Sequence, residues 1–165
     1  MKNIVIVFLL SIVYTASFAQ DDNFKAAQDD NWLVNVDEAY EISKKTNKPI
    51  LANFTGSDWC GWCKVLRKEV FNTPEFKEWA VDNVVLLELD FPRRTQLPAK
   101  QQQQNASLQQ AFRVTGFPTV WVFDLNKAKD SDKFELQAYG KTGYVKGGAN
   151  KYTKDLDKMI AKKTK

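Results

Sequence analysis

The sequence predicts an α/β domain, with a central mixed β-sheet flanked by helices on both faces. Three observations carry this reading. Segments of helical and strand period alternate in the order helix, strand, helix, strand, helix, strand, strand, helix. Residues 50–54 are a short, mostly apolar run, as a strand buried on both faces requires, and residues 84–90 read as another strand. The last segment repeats Tyr152, Leu156, Met159 and Ile160 at i, i+4, i+7 and i+8, the spacing of a helix laid against a sheet.

Taken in order, Asp37 is placed to cap a first helix running to about residue 46, with Val36, Ala39, Tyr40 and Ser43 facing a core. Asn47-Lys48-Pro49 ends it, and the strand at 50–54 follows. Thr55-Gly56-Ser57-Asp58 turns the chain into a second helix that starts near Cys60 and runs to about Val70. On it Cys63, Leu66 and Val70 share one face, while Lys64 and Lys68 lie on another. Cys63 is therefore expected to point inward and Cys60 to sit at the helix start. Asn72-Thr73-Pro74 starts a third helix, with Pro74 at its first position and Phe76, Trp79 and Ala80 on its apolar side. After the strand at 84–90, residues 91–115 hold two glutamine runs, 101–104 and 109–110. Glutamine forms helix well, so this stretch is read as a helix whose apolar face is Leu108, Ala111 and Phe112. Gly116-Phe117-Pro118 breaks it. Residues 119–123, rich in β-branched and aromatic side chains, make a strand; 125–133 is a polar turn region and 134–139 an antiparallel partner. Gly147-Gly148 and Asn150 precede the last helix.

Ahead of the domain, Lys2 precedes an apolar run from Ile4 to Leu10 continued by Ile12 and Val13, and Ser17-Phe18-Ala19 sets small residues where a signal peptidase reads. The expected layout is a signal peptide over 1–19, a flexible polar lead-in over 20–31, and one domain over 32–165. A bilayer span needs about 20 apolar residues and this run has about half, so no membrane anchor is expected after cleavage. The mature protein is expected to be periplasmic or secreted.

Cleavage takes away one lysine, and the formal charge falls from +4 to +3. So small an excess suits a solvated helix face, and no nucleic-acid partner is expected. The chain has two cysteines and no histidine. Ser-His and Cys-His nucleophile pairs are thereby excluded, and a structural zinc, which usually takes four Cys or His ligands, lacks half of them. No metal or other cofactor is expected. The two cysteines, with two residues between them, close a loop too short to staple a domain.

Cys60-Gly61-Trp62-Cys63 suits thiol–disulfide exchange, which needs one accessible thiolate to attack and a second thiol to resolve the mixed disulfide. Unpaired N–H groups and the dipole of a first helical turn favour an anion at Cys60 and lower its pKa below the free thiol's value of about 8.5. Cys63, one turn further, is shielded. Zinc and Cu(I) sites use the same spacing, but here it follows a buried strand and a short turn, opens a helix, and is joined by a distant Gly116-Phe117-Pro118-Thr119.

In these features the chain resembles the thioredoxin superfamily. Trp59-Cys60-Gly61-Trp62-Cys63-Lys64 is similar to that family's W-C-G-x-C-K, and Gly116-Phe117-Pro118-Thr119 to its cis-proline segment. The run from Gly56 to Cys63 looks most like exported bacterial thioredoxin-like disulfide reductases or isomerases. The resemblance implies a thioredoxin-like fold from about Asp37 onward, Cys60 as the attacking nucleophile and Cys63 as the resolving thiol. It further implies a substrate-binding surface of Trp59, Gly61, Trp62, Phe117 and Pro118, with Pro118 cis and the Phe117 backbone pairing with a substrate strand. Protein disulfides would be the substrates, a membrane-bound electron donor would re-reduce the pair, and the protein would act as a monomer. Gly61-Trp62 places neither positive charge nor a strong hydrogen-bond donor between the cysteines, which leans toward reductase or isomerase work rather than oxidation.

Two departures from the family stand out. Asn53 takes the place of a buried aspartate that assists the resolving cysteine, and an amide cannot accept its proton. Glu88, on the neighbouring strand, is a candidate substitute, although the plainer expectation for it is a solvated strand-end carboxylate. The stretch from Asp90 to Pro118 is also longer by about a dozen residues, an insertion carrying Arg93, Arg94 and the glutamines and expected at the active-site edge. The alternative to an enzyme is a redox-inert binding module or a Cu(I) carrier using the same sulfurs; no methionine lies near, Met159 being in the last helix.

Overall fold

A computed structural model describes residues 24–127 and 134–163. The elements are α1 (Val36–Thr46), β1 (Ile50–Thr55), α2 (Gly61–Leu66) continuing into a π turn (Arg67–Phe71), α3 (Pro74–Asn83), β2 (Val85–Asp90), α4 (Ala99–Ala111), β3 (Thr119–Lys127), β4 (Phe134–Thr142) and α5 (Gly148–Ile160). The four strands form one sheet in the order β2-β1-β3-β4, parallel between β1 and β2 and antiparallel elsewhere. This is the mixed sheet the sequence predicted.

Alternation along β1 builds two cores. Leu51 packs with Leu66, Phe76 and Leu156 on the face covered by α2, α3 and α5. Ile50, Ala52 and Phe54 pack with Ala39, Tyr40 and Phe112 on the face of α1 and the end of α4. All six residues of β1 are buried, as a strand covered on both faces demands. Asn53 shares its parity with Leu51 and so faces the α2 side, directly beside Glu88 of β2.

Several local expectations are corrected. The first helix is capped by Asn35, whose side chain accepts from the Asp37 N–H, and not by Asp37. The second helix changes to π geometry at Arg67, which turns the consecutive residues Val70 and Phe71 both inward, at 0% and 2% exposure. β3 runs on through Lys127, into the stretch expected as a polar turn. The inward side of α4 is Gln101 and Asn105 in line with partly buried Leu108 and buried Phe112, and Ala111 is exposed.

Those inward amides also correct the lead-in. From Phe24 onward it is fastened to the domain: Gln101 accepts from the Lys25 N–H at 2.9 Å and donates to the Lys25 carbonyl at 3.2 Å. Asp29 pairs with Lys77. Just beyond the lead-in, Gln104 accepts from the Val36 N–H and donates to the Val34 carbonyl, and Leu33 bridges to the edge of β2. Glutamines satisfy backbone groups that a loop packed against a helix would otherwise leave unpaired. The expected signal peptide, the lead-in before residue 24 and residues 128–133 lie outside the described residues.

Candidate active site

Cys60 is the N-cap residue of α2, in extended conformation, and Cys63 lies one turn in. They are joined as a disulfide with Cα atoms 5.3 Å apart. Cys60 Sγ accepts from the Cys63 N–H at 3.2 Å, so a backbone donor of the first turn is aimed at this sulfur. Both cysteines are 5% exposed. Exposure therefore does not separate them in the oxidised state; position on the helix does.

Trp59, beside Cys60, is fixed from several sides. Its Nε1 donates to the Phe91 carbonyl at 2.8 Å. The Phe117 ring meets it edge-on with centroids 5.9 Å apart, and the Arg93 guanidinium lies 3.7 Å from its ring centroid. Gly56 makes room for the indole, since a Cβ there would stand 2.5 Å from the ring. The Phe117-Pro118 bond is cis, as the resemblance implied.

Trp62 projects from α2 with 61% exposure and stacks on Tyr144, centroids 5.2 Å apart and planes at 25°. Together with Phe117 and Pro118 these rings line an open groove. Tyr144 donates its hydroxyl proton to Glu69 at 2.5 Å, and that bond raises the phenol's pKa. Four of the five residues expected at the substrate surface are thus brought together, Trp59 through its contact with Phe117 and the other three in the groove. Gly61, exposed and with open space around its Cα, adds no wall.

The loop after β2 closes the other side. Asp58 accepts from the backbone N–H groups of Arg93 at 3.0 Å and Arg94 at 2.7 Å. These bonds, that from Arg93 foremost, hold its carboxyl below the ordinary 3.8. Ser57 donates its N–H and hydroxyl to the two oxygens of Asp90 at 2.8 and 2.6 Å. The insertion is laced to the turn that carries the cysteines.

Residues 36–132 match the family described as Thioredoxin-like domain. The chain belongs to the thioredoxin-like family. Among curated proteins, Disulfide bond reductase DsbH of Chlamydia pneumoniae is 37% identical over 108 residues, 66% of this chain and 64% of that protein. Thioredoxin-related protein DsbJ of the same organism is 33% identical over 89 residues, 54% of this chain and 26% of its own length. The matches thus span less than two thirds of either relative. Among solved structures, DsbH Oxidoreductase superposes with a TM-score of 0.70 at 29% identity, covering 88% of this chain and 92% of that one. A thioredoxin from Thermus thermophilus, at a TM-score of 0.54 and 16% identity over 76% of this chain and 84% of its own, shares the fold.

In this thioredoxin-like domain Glu88 overturns its expected solvation. It lies mid-strand, 2% exposed, in an ion pair with Arg67. Burial, the larger effect, pushes its carboxyl up from 4.5 against the pull of the guanidinium. Sequence reasoning did not single out Tyr144, which lines the groove, or Arg67, which pairs with Glu88. Tyr144 comes from the β4–α5 loop with no signal in its neighbours; Arg67 carried one, as a cation on the inward-turning helix of the cysteine pair. No helix among the described residues is long and apolar enough to cross a membrane.

Proposed function

We propose that this protein is an exported thiol–disulfide oxidoreductase that reduces or isomerises disulfides of polypeptide clients. One observation carries the reading: the Cys60–Cys63 disulfide opens α2 with a backbone N–H directed at Cys60 Sγ, beside a groove of Trp62, Phe117 and Pro118. The named relatives support it, one being called a disulfide bond reductase. Export is supported by the apolar run and small residues of positions 4–19. Periplasmic residence, action as a monomer and re-reduction by a membrane-bound electron donor belong to the same proposal.

In the reduced enzyme the Cys60 thiolate attacks one sulfur of a client disulfide. A Cys60–client bond forms, the client's S–S bond breaks, and its other sulfur leaves as a thiolate that takes a proton. Cys63, deprotonated, then attacks Cys60 Sγ; the Cys60–Cys63 bond forms and the client's second thiol departs. The client has gained two electrons and two protons, and a dithiol donor must restore the pair. In isomerisation the client's own thiol expels Cys60 instead. Glu88 takes the Cys63 proton in this reading, being a buried carboxylate on the α2 side of the sheet whose raised pKa brings it nearer a thiol's.

Reduction of insulin by the dithiol-loaded protein tests the assignment. Cys60→Ser is expected to abolish it, and Cys63→Ser to accumulate mixed disulfides with client; adducts on Cys60→Ser and none on Cys63→Ser would reverse the roles. Glu88→Gln is expected to slow resolution of the mixed disulfide about tenfold near neutral pH and to flatten its pH profile. Unchanged resolution at every pH would remove Glu88 from the mechanism.

A further inference from the structure

The loop between β2 and α4 presents two positive charges at the surface. Arg93 and Arg94 are both exposed, and among the described residues neither guanidinium lies in an ion pair. The two nearby carboxylates are otherwise engaged. Asp58 is taken up by the backbone N–H groups of these same arginines, and both oxygens of Asp90 are held by Ser57. Each arginine is thus pinned by its main chain; the Arg93 guanidinium rests on the Trp59 ring, and that of Arg94 acts on Asp58 only through its field, as one of the lesser pulls on that carboxyl. The pair lines a cavity of about 560 Å³ with mixed polar and apolar walls, among them Gln102, Gln109 and Asp90, the last with its carboxylate held by Ser57; it is roomy enough for a side chain. Its position relative to the chemistry is fixed: Arg93 lies against the Trp59 ring, and Trp59 is the immediate neighbour of Cys60 in the chain.

We propose that this cavity is a specificity subsite that takes an acidic side chain of the client polypeptide, next to the disulfide being exchanged. The inference rests on the proposed function and names the client class it prefers. A carboxylate matches the guanidinium fork, and the amide carbonyls of the glutamines leave room for a neighbouring peptide N–H. Because the arginines are exposed, the attraction is modest, salt-sensitive, and felt mainly in client capture.

The test uses two synthetic disulfide peptides that differ only in three consecutive residues beside one cysteine, all Glu or all Gln, with wild type, Arg94→Gln and Arg93→Gln/Arg94→Gln. Wild type is expected to show a kcat/KM about fivefold higher for the Glu peptide at low salt. That preference is expected to be halved in Arg94→Gln and to disappear in the double variant and near 0.5 M salt, on the order of the screening that concentration imposes. A second readout is independent of turnover: NMR titration of the oxidised protein with the same peptides carrying Ser for Cys. Shifts at the Arg93 and Arg94 side-chain N–H signals are expected with the Glu peptide only. Localised shifts without turnover of either peptide would leave the subsite standing and overturn the proposed function. Equal turnover of both peptides by wild type, a preference that survives in the double variant, or arginine signals that respond to vesicles of anionic phospholipid and not to the Glu peptide would each overturn the subsite.

Discussion

Asn53 is 4% exposed, and its side-chain oxygen has no hydrogen-bond partner among the described residues. An unpaired buried acceptor costs stability, on the order of 1–3 kcal/mol. Replacing the amide by the carboxylate usual in the family does not relieve it, because Glu88 stands directly opposite in register and Arg67 is already shared with that neighbour. Asn53→Asp is expected to destabilise the oxidised protein by about 2–4 kcal/mol near neutral pH. The new carboxyl's folded-state pKa would be raised, so the deficit should be small below the unfolded value of about 3.9 and grow as pH rises through the folded one. Denaturant melts across pH would check the sign; a deficit that grows toward acid would refute it. Cys60, Cys63, Trp59 and Pro118 were legible in the sequence because their chemistry sits in short local motifs. Burial of Glu88 is not legible because it depends on Arg67, which meets it from the helix packed on that face of the sheet, and a linear pattern does not encode that meeting.

The loop after β2 and α4 act as one device at the scale of elements. Asp58 latches the loop, α4 fastens the N-terminal segment, and both functions rest on side chains paired to backbone. The latch has a defined pH range. The Asp58 carboxyl is held below 3.8, so its stabilising bonds are fully present above that value and are lost as pH falls through the lower folded-state pKa. Hydrogen exchange at the Arg93 and Arg94 amides is expected to stay slow in wild type down to that range and to be fast at all pH in Asp58→Ala. Equal protection in both proteins would mean that the loop holds itself. The existence and type of α4 followed from glutamine's helix propensity, but its buried face did not. Polar amides turned inward look like a solvent face until the backbone they serve is placed against them. The π turn was equally hidden, since Val70 and Phe71 suit either helical geometry and only the packing of both rewards the wider one.

Across the whole molecule, strand count, the mixed sheet and helices on both faces followed from alternating periods, while strand order needed the fold. The sheet has β2 at one edge and β4 at the other. On β2 that edge is occupied: Leu33 donates to the Leu86 carbonyl at 3.0 Å and accepts from the Glu88 N–H at 2.8 Å. The residues that cap it precede Val36, where the family match begins. A chain cut at Val36 would keep every helix and strand described above and lay bare two main-chain groups on an apolar edge strand. Such an edge is a template for a second chain. The shortened protein is expected to self-associate as concentration rises, in sizing with light scattering, while the chain that retains residues 24–35 does not. On this account the residues ahead of the family match act as a guard against intermolecular strand pairing.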